Sequence, residues 1–262
     1  MSNILFLYNN LLDTSTLTES SEAAGFPAEN VQHEFRTKVW RTAGATAGTA
    51  NLDIDLGSAQ DVTCVALADY TWTSAPGTLD LEFDNDSGYG SIDATESLTW
   101  SANPTANGNN GIIVKTFTAH RYRYLRLNVV YSPGGNPTDW DLGRIFVGTY
   151  FEPSDNYLLA EFQQNFIDLS RSQRTPGGSI HVDQIDPIRE VEFSFIAQTQ
   201  AQWESFQGVI NEVGMADPFF IAFDYDNEPN EMTMYGRFTR LPNMRRIDMP
   251  YFRLGFTFEE AK

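Results

Sequence analysis

Cysteine is almost absent from this 262-residue chain: there is one, Cys64, so no disulfide can close within it. It sits in the apolar run 62–67 and reads as a small buried hydrophobe, with folding expected in a reducing compartment. Histidine is nearly as scarce. His33, His120 and His181 lie far apart and lack the short spacings of a zinc site. Basic side chains are outnumbered, 17 Lys and Arg against 35 Asp and Glu, which leaves a net charge of −18. Residues 1–150 hold 8 basic and 17 acidic side chains and residues 151–262 hold 9 and 18, so each half stands at −9. Such a surface repels a polyanion, which argues against a role in gripping duplex DNA. No stretch approaches the roughly 20 apolar residues that cross a bilayer. The apolar start at residues 4–8 is too short, and too poor in positive charge, for a signal peptide, so synthesis as a soluble cytoplasmic protein is expected.

Catalytic motifs are missing as well. There is no GxSxG elbow, no GxGxxG and no phosphate-binding loop followed by Lys-Ser/Thr. Two pairs of alternating acids, Asp53 with Asp55 and Asp139 with Asp141, have the spacing of solvent-facing strand edges more than of a glycosidase pair. The expectation is a non-enzyme without cofactor. A metal is not expected either; the one weak candidate is the turn carrying Asp84 and Asp86, which also reads as a good turn in its own right.

Aromatic residues, by contrast, are plentiful at 13%, with 19 Phe and 11 Tyr, a composition that suits strands. The run 62–67 fits a strand buried on both faces, and Leu79, Leu81 and Phe83 alternate with acids as a half-buried strand does. Further strands are predicted at 112–117, 122–131 and 145–147. Loops rich in Gly, Asn, Ser and Pro separate them at 42–50, 85–90, 102–111 and 132–138. Short strands so punctuated indicate a sandwich or jelly roll. Trp72, Tyr89, Trp100 and Trp140 fall in or beside loops and are the candidate ligand-binding aromatics, although aromatics of a jelly roll are more often core.

A boundary is predicted at Pro153, giving domains 1–152 and 153–262. The second half shows a strand at 190–197 and then a helix. Thr199 and Gln202 make a capping box, Trp203, Phe206, Val209, Ile210 and Val213 form one stripe, and Gly214 ends it. Strands at 219–223, 232–241 and 251–258 follow. Between strand-like flanks at 158–167 and 180–182, the polar segment 168–179 carries Arg171 and Arg174 and ends in Pro176, Gly177 and Gly178. A long hairpin reaching beyond the domain, an assembly arm, fits this pattern, as does an ordinary mobile surface loop.

Four phrases recur together in a known module: FPAENV at 26–31, VWRT at 39–42, LDIDLG at 52–57 and RYLRL at 123–127. In this order they resemble the discoidin domain, the coagulation-factor C-terminal type, an eight-stranded jelly roll. The wording at 9–31 resembles discoidin-type modules of bacteriophage tail proteins. The second half, by its order of elements, is similar to tail-tube and distal-tail proteins. The fold implied is mainly β: an N-terminal discoidin-like jelly-roll sandwich, then a C-terminal tail-tube-like β-sandwich with one packed helix and a long hairpin arm. The function implied is structural, a virion protein of a phage tail tip made in the bacterial host cytoplasm. It would form a ring with itself, a hexamer, around a DNA channel, with tail-tube and baseplate proteins as neighbours. DNA would pass without specific binding. The alternative is a lectin-like module that recognises surface glycans.

Overall fold

The alternating residues 79–84 do become an inner strand of a sheet, and a hydrophobic ladder built around them forms the first core. A computed structural model describes residues 4–43, 49–100, 111–131, 139–246 and 252–261. The loops expected at 102–111, apart from Gly111, and at 132–138, and most of that at 42–50, lie outside the described residues. Strand β1 is Leu5–Leu7. The first-half strands are β2 (Thr16–Glu19), β3 (Trp40–Arg41), β4 (Thr49–Ala68), β5 (Thr78–Asp84), β6 (Ala94–Ser97), β7 (Ile112–Val130), β8 (Asp141–Leu142) and β9 (Ile145–Gly148). The second half adds β10 (Gln163–Ile167), β11 (Arg171–Arg174), β12 (Ile180–Asp183), β13 (Ile188–Gln198), helix α1 (Gln200–Val213), β14 (Phe219–Ala222), β15 (Thr233–Arg246) and β16 (Phe252–Glu260). The protein is mainly β with one α-helix among the described residues.

In the jelly-roll half the sheet runs β2-β4-β7-β5-β6, and β9 also pairs with β4. Leu52 lies opposite Leu127, itself opposite Leu81; Ile54, Leu125 and Phe83 form the next row, and Ala50, Val129 and Leu79 a third. All nine are buried, each large one contributing about 1.5–3 kcal/mol. The segments expected as separate strands at 112–117 and 122–131 are one strand, β7. Bulges after Asp55 and Val62 let its partner β4 shift register without leaving the ladder.

The second sheet runs β1-β14-β15-β16-β13-β10, all antiparallel. Helix α1 covers one face of it with Phe206, Val209 and Val213, while Trp203 is only half-buried at the margin. Thr199 caps the helix by accepting from the Gln202 amide, and Gly214 closes it at φ +53°. Strand β1 comes from the start of the chain yet belongs to this sheet, so the two sheets do not divide at a single point of the sequence.

Alternation joins the halves. In β4, Val65 and Leu67 face the jelly-roll core, while Cys64, Ala66 and Ala68 face a middle layer with Ile112, Val114 and Phe146. From the other side that layer receives Leu5, Leu7, Phe220, Ala222 and Tyr235. The both-faces burial expected for 62–67 therefore arises because its second face is covered by the second domain. Burial pushes the Cys64 thiol well up, so it stays protonated and inert.

Polar contacts cross the same junction. Tyr225 Oη accepts from the Thr116 amide at 2.8 Å, and Tyr235 Oη donates to the Glu34 carbonyl at 3.1 Å. Arg36 and Asp69 form a buried bidentate pair, and Arg36 Nη1 also donates to Glu260 Oε1 at 3.3 Å. Arg189 approaches the same carboxylate with Nε and Nη2, both at 3.2 Å.

Candidate functional site

The residues singled out on the jelly roll are held by its core. Trp72 and Trp140 are each 1% exposed, and Tyr89 is 9% exposed. Trp140 stands edge-on between Trp40 and Trp72, at centroid distances of 5.0 and 5.3 Å, and Tyr70 stacks on Trp72 at 4.8 Å. Tyr89 adopts φ +49°, donates its hydroxyl to the Leu125 carbonyl and lies under the Arg126 guanidinium at 3.9 Å. Trp100 is partly buried against the same core. Proximity to a loop in sequence does not expose a ring here, because the loop ends turn inward to cap the sandwich. These aromatics offer little free face for a sugar to stack upon.

Three of the four paired acids are held by arginines. Asp53 accepts two hydrogen bonds from Arg126, at 2.6 and 2.9 Å, and Asp55 two from Arg123, at 2.7 and 2.8 Å. The hydrogen bonds from Arg123 hold the Asp55 carboxyl below its ordinary range. Asp141 is clamped in the same way by Arg41. In the 84–88 turn Asp84 accepts from the Asp86 amide at 2.9 Å, and Asp86 from the Gly88 amide at 3.3 Å. That is the self-bonding of a tight turn. Among the described residues no group of three or more His, Cys, Asp or Glu side chains is placed to hold a metal.

The segment 168–185 is built differently. Strands β11 and β12 pair only with each other, and every residue of both is exposed. Gly178 at φ +88° and the bonds between Thr175 and Ser179 make the tip, where Pro176 and Gly177 stand in the turn. At the base Ser170 Oγ donates to the Ile185 carbonyl and accepts from its amide. Ile180 and Val182 share one face and are 61% and 54% exposed, with Arg174 and Ser172 as their cross-strand partners. Nearby Phe166, on the edge strand β10, is 61% exposed. An isolated two-stranded hairpin is marginal in water, and an uncovered edge strand invites pairing. The polar sequence of the tip marked this arm; its apolar face was not singled out, although Ile180 and Val182 alternate with His181 and Asp183.

No protein-family model matches the sequence, and no curated protein matches it. Among solved structures the chain is similar to chitosan-binding module 1 from a chitosanase/glucanase of Paenibacillus sp. IK-5. The two share 25% identity over 54% of this chain and 100% of that one, with a TM-score of 0.41. It is also similar to the lectin domain of lectinolysin in complex with Lewis B antigen, at 18% identity over 53% of this chain and 95% of that one, TM-score 0.40. A third is the family 32 carbohydrate-binding module from C. perfringens NanJ with galactose, at 19% identity over 56% of this chain and 99% of that one, TM-score 0.40.

Proposed function

We propose that the chain is a non-catalytic assembly protein, a jelly roll carried on a second β domain that associates with further copies through its arm. One observation carries this reading: a hairpin with no cover from the described residues exposes Ile180 and Val182 on one face. Apolar residues on a marginal element are stabilised when a partner buries them. The specific form follows the resemblance in the sequence: a ring at a phage tail tip, six copies around the DNA channel, tail tube on one side and baseplate on the other, with the jelly roll outward. An acidic lumen suits that role, since a polyanion finds no strong binding site along it.

The experiment is light scattering of the intact chain beside a variant in which residues 171–183 are replaced by a short Gly-Ser turn. The wild type should be oligomeric. The variant should keep its circular dichroism, because the arm adds nothing to either core, and should run as a monomer. An unchanged oligomer mass would overturn the reading.

Glycan recognition by the jelly roll is the second reading. It is favoured by the ion pair of the half-exposed Arg41 with the more buried Asp141; the Arg41 guanidinium lies 4.3 Å from the Phe26 ring centre. Charged hydrogen-bonding groups beside an aromatic ring suit the polar and apolar faces of a sugar. On this reading Asp141→Ala abolishes the heat of binding to oligosaccharides in calorimetry while melting stays near wild type. Equal binding by both proteins would exclude that ion pair.

A further inference from the structure

The second sheet carries the arm at one edge and a cavity at the other. A cavity of about 350 Å³ opens where the two domains meet, large enough for one or two side chains. Its wall includes Glu34 and Arg144 from the jelly roll and Glu212, Asp217, Phe220 and Tyr235 from the second domain. Arg144 is 5% exposed, is held by Asp13 through two bonds of 2.6 Å, and has no partner at Nε. With Arg144 committed to Asp13, the local charge is set by Glu34, Glu212 and Asp217. All three are exposed, and none forms an ion pair among the described residues. Helix α1 ends at Val213 beside them with no basic residue in its last turn, so its carbonyl end adds partial negative charge. The exposed acids at its rim suit a cation.

The arm supplies one. Arg171 and Arg174 are exposed and take part in no ion pair among the described residues. Lys38 and Arg240 are also exposed without an ion pair among the described residues, but Arg171 and Arg174 stand together on a hairpin that pairs with no other described strand. Strand order decides where they can bind. The arm springs from the β10 edge of the second sheet, and the cavity lies at the β1–β14 edge, lined by Leu7, Phe219 and Phe220. Five strand spacings, roughly 24 Å, separate these edges, and within this chain Arg174 stays exposed and forms no ion pair with the cavity acids. Donor and receptor on opposite edges make a heterologous, head-to-tail contact, which repeats into a closed ring or a filament.

We propose that the arm tip of one copy docks in the junction cavity of the next copy, where Arg174 meets Glu34, Glu212 and Asp217. The inference rests on the assembly reading and names its receptor. Its test is charge reversal followed by sedimentation velocity at low and high salt. Arg174→Glu should weaken association about tenfold or more, as should Glu212→Arg combined with Asp217→Arg. Both proteins should melt like the wild type, since these side chains lie on the surface. Mixing the two should restore assembly, because each reversed tip then meets a reversed cavity and each native tip a native one. Added salt should weaken the wild-type complex. If both variants assemble like the wild type while removal of the arm still yields monomers, the arm docks elsewhere and the cavity assignment fails. Folded variants that lose assembly singly but are not rescued by mixing also overturn the pairing. A wild type that stays monomeric at every concentration overturns the assembly reading itself, and this inference with it.

Discussion

Replacing Glu260 with alanine is expected to cost about 3–5 kcal/mol, because it strands a buried arginine without its counter-charge. Glu260 side-chain exposure is 2%, and that of Arg189 is 6%. Arg189 has no other carboxylate among the described ion pairs, whereas Arg36 keeps Asp69. The penalty therefore falls on Arg189, and the junction between the domains loses the group that both arginines share. Acid should produce a milder version of the same loss. Burial alone would raise the Glu260 carboxyl; the hydrogen bonds and charge of Arg189, then the charge of Arg36, outweigh it and hold the group below its ordinary 4.5. A depressed carboxyl contributes its stability in full above the unfolded value and loses it as the pH falls through the folded one. The gap between wild type and Glu260→Gln should thus be widest near neutrality and narrow below pH 4.5. Urea denaturation of both proteins at neutral and acid pH measures it. A gap that does not change with pH would mean that the carboxylate is not held as described.

Much of the architecture was legible because local pattern and tertiary role agree. The alternation of Leu79, Leu81 and Phe83 is the inner face of β5, and the capped stripe of Phe206, Val209 and Val213 is the buried face of α1. The arm was legible through composition, since a segment with two arginines and Pro-Gly-Gly cannot support a core. Three features were hidden, each for a physical reason. Strand β1 is three residues long and pairs with β14, more than 200 positions away, a register that no local period encodes. The ring cluster of Trp40, Trp140 and Trp72 depends on loop ends folding inward, and sequence proximity to a loop leaves core and binding site both open. The junction cavity draws its acids from residues 34, 212 and 217, which only the tertiary fold brings together. Strands reveal which residues face inward; they do not reveal which sheet a short edge strand will join.

That edge strand makes the last prediction a sharp one. Phe6→Ala should destabilise the protein by about 3–5 kcal/mol, the cost of truncating a fully buried aromatic in a core that cannot collapse around the gap. Phe6 is 0% exposed. Its ring lies between 5.8 and 6.5 Å from those of Phe151, Phe193, Phe195, Phe206, Phe219 and Phe256, so the cavity would open at the centre of the second core. On the same strand Leu5 and Leu7 point the other way, into the layer between the domains. Loosening β1 should therefore weaken the sheet and the junction together, and unfolding should remain one transition with a lower midpoint. Trp203→Ala, at the half-buried margin of the helix, should cost less than Phe6→Ala although it removes more atoms. For the same reason a fragment starting at residue 153 should fold poorly, because it lacks the strand that carries Phe6. Urea midpoints followed by tryptophan fluorescence and by circular dichroism give the comparison. A Phe6→Ala cost below about 1 kcal/mol, or a stable folded fragment 153–262, would show that β1 is dispensable to the second sheet in solution.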